Sequence, residues 1–297
     1  MPRIPPAPVP AKPELLISGF EEMSDPVFRL FQELIHQGTG IWLASQKKAM
    51  LTGRLAKRLR QLGLPSYRAY LEVVESDEGE LRELFDRVST NETHFFREPR
   101  HFDFLERTVY PEWRAQAAAE KRSRRLRVWS AGCSTGEEPY SMAMSLRSAF
   151  PESSGWVLEI LASDLSTRVL AQARAAVWPL AKSAEIPALL LKEFMLRGTG
   201  TEEGKMKAGF ELRNLIQFER INLSQTPYPS VGTFDLILCR NVLIYFDPPG
   251  KDRVIRQLLE HLVPGGYLFI GHSETMGPAV VGPRPVIPTV YRLPPRR

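Results

Sequence analysis

Long apolar runs are missing from this chain. None approaches the roughly 18–20 residues that a membrane-spanning helix needs, so no membrane insertion is expected. Cysteine is nearly missing too, with Cys133 and Cys239 the only two in 297 residues. Two thiols in so long a chain make no disulfide framework. The first ten residues, Met-Pro-Arg-Ile-Pro-Pro-Ala-Pro-Val-Pro, lack the apolar core of a signal peptide, and a cytoplasmic location is expected. Acidic residues are absent between Ser45 and Leu62, which carries Lys47, Lys48, Arg54, Lys57, Arg58 and Arg60. The main glycine turn, Gly132-x-x-x-Gly136, lacks the G-x-G-x-x-G spacing that lets a backbone approach a pyrophosphate. That disfavours a nicotinamide-dependent oxidoreductase.

What remains is ordinary soluble composition, 43% hydrophobic and 25% charged, with a net charge of +5. The excess of positive charge suits an acidic partner, whether nucleic acid, anionic membrane or acidic protein surface.

The stretch around the glycine turn organises the chain. Leu126, Val128 and Trp129 form a short buried strand, Gly132 and Gly136 mark a turn, and Pro139 falls in the first turn of a helix continued by Met142, Ala143, Leu146 and Phe150. A strand feeding a helix this way is half of a nucleotide-binding βαβ unit. Glu137 and Glu138 follow the turn at once. Carboxylates there would repel a phosphate but suit S-adenosylmethionine, which carries an ammonium and a sulfonium. A tight turn with two solvated glutamates is the plainer alternative.

Around this unit the chain reads as follows. Residues 1–18 are a proline-rich tail expected to be mobile. Asp25-Pro26 opens a helix with an apolar stripe of Val27, Leu30, Phe31, Leu34 and Ile35, ended by Gly38 and Gly40. A second helix spans about Ser45–Leu62, a third runs from Ser66 through Val74, and a fourth over Glu78–Val88. Together they give a helical domain over residues 19–89. Lys47, Arg54 and Arg58 fall within about 40° of one another on the second helix, a face for gripping an acidic surface or simply a solvated one. Thr90 to Glu98 is a structured loop before a helix starting at Pro99. Trp156–Ala162 is the second strand of the sheet, followed by Asp164, placed where this fold class holds ribose hydroxyls; an N-cap role is the alternative. Residues 177–213 break the strand–helix alternation with a β-hairpin insertion. Leu215–Ile221, Phe234–Asn241, Tyr267–Ile270 and Val290–Leu293 complete the strands, and a helix over Lys251–Leu262 is stopped by Pro264-Gly265-Gly266. The fold class is α/β, a doubly wound, Rossmann-like parallel sheet with polar residues gathered at the carboxyl ends of its strands.

Asn91-Glu-Thr-His-Phe-Phe-Arg97, Ser130-Ala-Gly-Cys-Ser-Thr-Gly-Glu-Glu-Pro-Tyr-Ser141 and Cys239-Arg-Asn-Val-Leu-Ile-Tyr-Phe246 resemble the chemotaxis receptor glutamate methyltransferases, the CheR family. The resemblance spans about residues 20–293. It implies a class I S-adenosylmethionine-dependent methyltransferase domain over residues 90–297, with an N-terminal receptor-recognition domain. The implied product of the cofactor is S-adenosylhomocysteine, and the implied reaction is esterification of glutamate side chains on chemoreceptor cytoplasmic helices. Carried onto matching positions, the cofactor contacts are Asn91, Thr93, Arg97, Glu137, Asp164, Asn222, Leu223, Arg240 and Asn241. Arg97 and Tyr245 match the catalytic suspects, and Lys47, Arg54 and Arg58 the receptor-recognition helix. The insertion resembles the β-subdomain that in some members binds a pentapeptide at the receptor C-terminus. No metal and no nucleic acid are implied, and a monomer is expected. Phe95 and Phe96 are candidates for apolar walls of the site, with core packing as the alternative.

A nucleic-acid amino-methyltransferase is disfavoured because Arg240-Asn241-Val242-Leu243 stands where such enzymes carry an Asn/Asp-Pro-Pro-aromatic loop. The remaining alternative is a catalytically silent adaptor that senses S-adenosylmethionine.

Overall fold

The computed structural model describes residues 22–229 and 231–295, so the expected tail over residues 1–18 lies outside the described residues. Four helices come first: α1 (Asp25–Thr39), α2 (Lys48–Leu62), α3 (Tyr67–Ser76) and α4 (Glu78–Val88). A 3₁₀ turn, Ser45–Lys47, leads into α2. Their boundaries follow local chemistry. Ser66 Oγ accepts the N–H of Ala69 at 3.2 Å to start α3. Asp77 Oδ1 accepts those of Gly79 and Glu80 at 2.7 and 3.3 Å to start α4. The apolar stripes meet in one core built on Phe31, Ile35, Leu51, Leu55, Leu59, Tyr70 and Leu84.

The rest of the chain builds a sheet. After α5 (Pro99–Phe104), a π turn at Leu105–Val109 and α6 (Tyr110–Ala118) come β1 (Arg125–Ala131), α7 (Glu137–Ala149), β2 (Val157–Asp164) and α8 (Thr167–Ala175). Then follow β3 (Val177–Pro179), α9 (Ala188–Phe194), β4 (Met195–Arg197), β5 (Lys205–Ala208) and α10 (Phe210–Arg213). The chain ends with β6 (Ile216–Arg220), β7 (Phe234–Cys239), α11 (Pro248–Glu260), β8 (Leu262–Ile270), β9 (Arg284–Ile287) and β10 (Val290–Arg292).

Seven strands lie in the order β6-β2-β1-β7-β8-β10-β9. The first five pair in parallel, and β10 runs antiparallel to both β8 and β9. Alternate residues bury on opposite faces, as a sheet covered on both sides requires. Leu126, Val128, Leu236 and Leu238 pack towards Met142 and Leu146 of α7. Trp129, Ile237, Leu268 and Ile270 pack towards Val254 and Leu258 of α11. The strand order reverses between β1 and β7, which opens a crevice beyond their carboxyl ends.

One expectation is extended and one changes. The β4–β5 hairpin of the insertion is present, and β3 joins it to make a three-stranded antiparallel sheet, β3-β5-β4. Its third strand, β3, is too short to show a period. Pro264-Gly265-Gly266 lies inside β8 and does not stop the preceding helix, which ends at Glu260. The β7–β8 register shifts between Phe234 and Leu236, so the Pro-Gly-Gly stretch forms an irregularity within the strand.

Candidate active site

The glycine turn after β1 is fixed by its backbone. Gly132 has φ +89°, and a Cβ there would stand 2.4 Å from Val242 Cγ2. Only glycine lets the turn pass so close to the loop after β7. The N–H groups of Gly132 and Cys133 both donate to the Ser163 carbonyl at 2.8 Å, tying the turn to the end of β2. Asp164 completes the tie, its Oδ2 accepting the Ser134 N–H and its Oδ1 the Ser166 N–H, each at 2.9 Å. Burial pushes the Asp164 carboxyl above its ordinary value, and these N–H groups work against that shift.

The loop between α4 and α5 closes over the turn. Ser134 Oγ donates to the Asn91 carbonyl at 3.0 Å, and the Phe96 N–H donates to Ser141 Oγ at 2.9 Å. On the other side stands a buried ion pair, Arg240 Nε to Glu138 Oε2 at 2.7 Å. Arg240 Nη1 also donates to the Arg97 carbonyl at 2.6 Å, and Ser130 Oγ to Glu138 Oε1 at 2.6 Å. The loop after β7 is held by Glu274. Its Oε2 accepts the N–H groups of Gly271 at 2.5 Å and Asn241 at 3.0 Å, and its Oε1 that of Ile244 at 3.1 Å.

These pieces surround a cavity of about 280 Å³, close to the lower end of small-molecule sites at about 300 Å³. Asn91, Thr93, Arg97, Asp164, Asn222, Leu223, Arg240, Asn241 and Tyr245 all line it. Glu137 does not. It is the first residue of α7, is fully buried, and pairs with Lys182 Nζ of the insertion at 2.5 Å. Glu138 lines the cavity in its place. The helical domain contributes Thr39 and Ile41, which the sequence did not suggest. Phe95 and Phe96 are not walls of the cavity. They pack on Trp178 and Phe102, with ring centroids 5.1 and 4.8 Å apart. The apolar wall comes from Ile41, Leu165, Ile221, Leu223, Val242 and Ile244.

The basic face of α2 is also different from the expectation. Lys47 is exposed. Arg58, however, forks onto Glu80 of α4, with Nε to Oε1 at 2.8 Å and Nη2 to Oε2 at 2.5 Å. Arg54 donates to the Val88 carbonyl and, at 3.1 Å, to Thr90 Oγ1. Both guanidiniums are turned onto α4 and the segment after it, because an unsatisfied carboxylate and free helix-end carbonyls lie within reach there.

The strand order, the glycine turn and the carboxylate ending β2 define a class I methyltransferase fold, whose cofactor is S-adenosylmethionine. Residues 91–284 match the family described as "CheR methyltransferase, SAM binding domain", and residues 26–89 match "CheR methyltransferase, all-alpha domain". The chain is 40% identical over 255 residues to the chemotaxis protein methyltransferase of Escherichia coli (strain K12), covering 85% of each chain. It is 41% identical over 266 residues to chemotaxis protein methyltransferase 2 of Pseudomonas aeruginosa, covering 89% of this chain and 91% of that one. The chain belongs to the CheR methyltransferase family.

The residues present fit the cofactor. The buried Asn241 Oδ1 has no hydrogen-bond partner among the described residues and belongs to a residue lining the cavity, so it is an acceptor available to a bound donor. Asp164 offers carboxylate lone pairs of the kind ribose hydroxyls need, and the apolar wall beside it can take a planar base.

Proposed function

We propose that this chain esterifies glutamate side chains on the cytoplasmic helices of chemoreceptors. The observation that carries the reading is the meeting of Arg97, Tyr245, Asp164 and the Glu138–Arg240 pair in one cavity that the helical domain borders. When bound, S-adenosylmethionine supplies an electrophilic methyl group whose bond electrons stay with sulfur, leaving S-adenosylhomocysteine.

A glutamate is ionised at neutral pH, given its reference pKa of about 4.3, so the attacking oxygen needs no general base. The chain's task is alignment and exclusion of water. Asp164 holds the ribose, and Asn241 takes a donor at the amino-acid end. Arg97, on the loop over the cavity, steers a carboxylate, either the incoming glutamate or the amino-acid end of the cofactor. Tyr245, in the 3₁₀ turn Leu243–Tyr245, orients the same group with its hydroxyl. The apolar wall favours a reaction in which a carboxylate and a sulfonium both become neutral.

In this reading the helical domain faces the receptor, with Lys47 of the 3₁₀ turn and the exposed Lys57 and Arg60 of α2 steering an acidic helix. Leu196 on the edge strand β4 and Phe210 at the start of α10, 58% and 65% exposed, offer apolar contacts for a short receptor tether. The chain acts as a monomer in the cytoplasm. The test is transfer of labelled methyl from S-adenosylmethionine to receptor cytoplasmic fragments. Label released by mild base marks an ester; label stable to base, or none, rejects the reading.

A further inference from the structure

Beside Arg240, and outside the cavity lining, three potential metal ligands meet: Glu98, His101 and His272. Glu98 precedes α5, His101 lies within α5, and His272 follows β8. Glu98 Oε2 is 3.2 Å from His101 Nδ1 and 3.1 Å from His272 Nδ1. Ligands arranged tetrahedrally around a zinc-class ion at about 2.0–2.1 Å are about 3.3 Å apart. The three ligand atoms all lie within 4.8 Å of one another.

Two further observations point to a cation. The Glu98 side chain is 9% exposed, and its buried Oε2 has no well-formed hydrogen bond among the described residues. The His101 tautomer is fixed independently. Thr289 Oγ1 gives its proton to the Pro288 carbonyl at 2.6 Å, so it must accept from His101 Nε2–H at 2.9 Å. That leaves the Nδ1 lone pair turned to the Glu98 oxygen and to Arg240 Nη1, 3.4 Å away. Two lone pairs at this separation repel, and a cation set directly between them relieves that more fully than Arg240 Nη1 at 3.4 and 3.7 Å.

The outer contacts are those of a ligand set already oriented. His101 is held through its far nitrogen, as ligating histidines are, and Glu98 Oε1 accepts the His272 N–H at 2.9 Å. Arg240 Nη1 stands 3.7 Å from Glu98 Oε2 and 3.4 Å from His101 Nδ1, which weakens any cation's hold. Its charge is already matched by Glu138 at 2.7 Å, so Glu98 remains the unbalanced charge of the group.

We propose that Glu98, His101 and His272 form a binding site for a divalent zinc-class ion, with solvent as fourth ligand on the side of the half-exposed His272. The ion braces the end of the loop carrying Arg97 against the end of β8, and so fixes the wall from which Arg240 faces the cavity. The proposal is independent of which substrate is methylated. Nitrogen and carboxylate donors select this class over calcium or magnesium.

The test is a Co²⁺ titration of the full, untagged chain after dialysis against a chelator, followed by Zn²⁺ competition. One equivalent should give the visible bands of four-coordinate Co²⁺ without a thiolate charge-transfer band, and Zn²⁺ should displace it. His272→Ala should weaken binding at least about tenfold. Because His272 is half-exposed, the metal-free variant should keep the wild-type melting temperature, and Zn²⁺ should raise that temperature in the wild type alone. His36→Ala, the control for the His36–Asp247 contact, should bind like wild type. No stoichiometric binding, a thiolate band, or equal binding by His272→Ala would overturn the site.

Discussion

Asp164 shows how much one side chain is asked to do. The sequence placed it at the end of the second strand as a ribose ligand, with a helix cap as the alternative. Ser166 caps α8, accepting the Val169 N–H at 3.3 Å, while Asp164 holds the N–H groups of Ser134 and Ser166. Asp164→Ala would strand two backbone donors and confound binding with folding. Asp164→Asn keeps one acceptor and strands only one of the two N–H groups, so, compared at a temperature well below its own melting point, it should still weaken cofactor binding tenfold to hundredfold. That range corresponds to about 1.5–3 kcal/mol for a charge-assisted bond. Calorimetry giving wild-type affinity would reassign the residue to the turn alone. At neighbouring positions the sequence was less readable. Glu137 and Glu138 are adjacent and chemically equal, and only the presence of Lys182 in the insertion decides which turns away from the cavity. Glu274 could not be found as the anchor of the Asn241–Ile244 loop, because its partners are backbone N–H groups that carry no residue identity.

Among elements, α4 was legible to the residue because Asp77 caps it and Val88 closes its stripe. Strands β3 and β9, of three and four residues, were missed. Helix α2 was read as free to present Arg54 and Arg58, since a helical wheel shows a shared face but not what packs against it. The Arg58–Glu80 pair instead clamps α2 to α4, and Tyr70 donates to the same carboxylate at 2.8 Å. The Arg58 guanidinium holds the Glu80 carboxyl below its ordinary value, against the opposing effect of burial. A carboxylate with a depressed folded pKa stabilises the protein above its unfolded pKa and loses that contribution as pH falls through the folded one. The wild type should therefore lose stability below about pH 4.5 through this pair. Glu80→Gln should be less stable by about 1–3 kcal/mol at pH 7, with the gap closing in acid. Thermal melts from pH 7 to pH 3 check this; a gap independent of pH would remove the pair from the acid response.

The polar strand ends gather at one crevice because the sheet reverses direction between β1 and β7, and that much follows from strand–helix alternation. Less visible was how the helical domain meets the sheet domain. Ile41 forms a β-bridge with Phe246, and the Trp42 N–H donates to the Tyr245 carbonyl at 2.8 Å, so the helices form part of the cavity rim. Gly40 sits at this seam with φ +74°, where a Cβ would stand 2.7 Å from both the Phe246 ring and Ser224 Cβ. Gly40→Ala should cost about 2 kcal/mol or more through strain and overpacking, and should weaken cofactor binding with it. Unchanged melting and affinity would mean that the two parts do not share the site.

In the proposed reaction the cavity aligns a glutamate carboxylate with a bound methyl donor, and Arg97 is the steering cation. Single-turnover methyl transfer to a receptor fragment, at saturating S-adenosylmethionine and with the modified residue located by peptide mapping, tests this directly. The wild type should place base-labile methyl groups on glutamates, and Arg97→Ala, still folded, should do so about 10²–10³-fold more slowly. Methyl groups on other residue types, or an Arg97→Ala rate equal to the wild type, would contradict it.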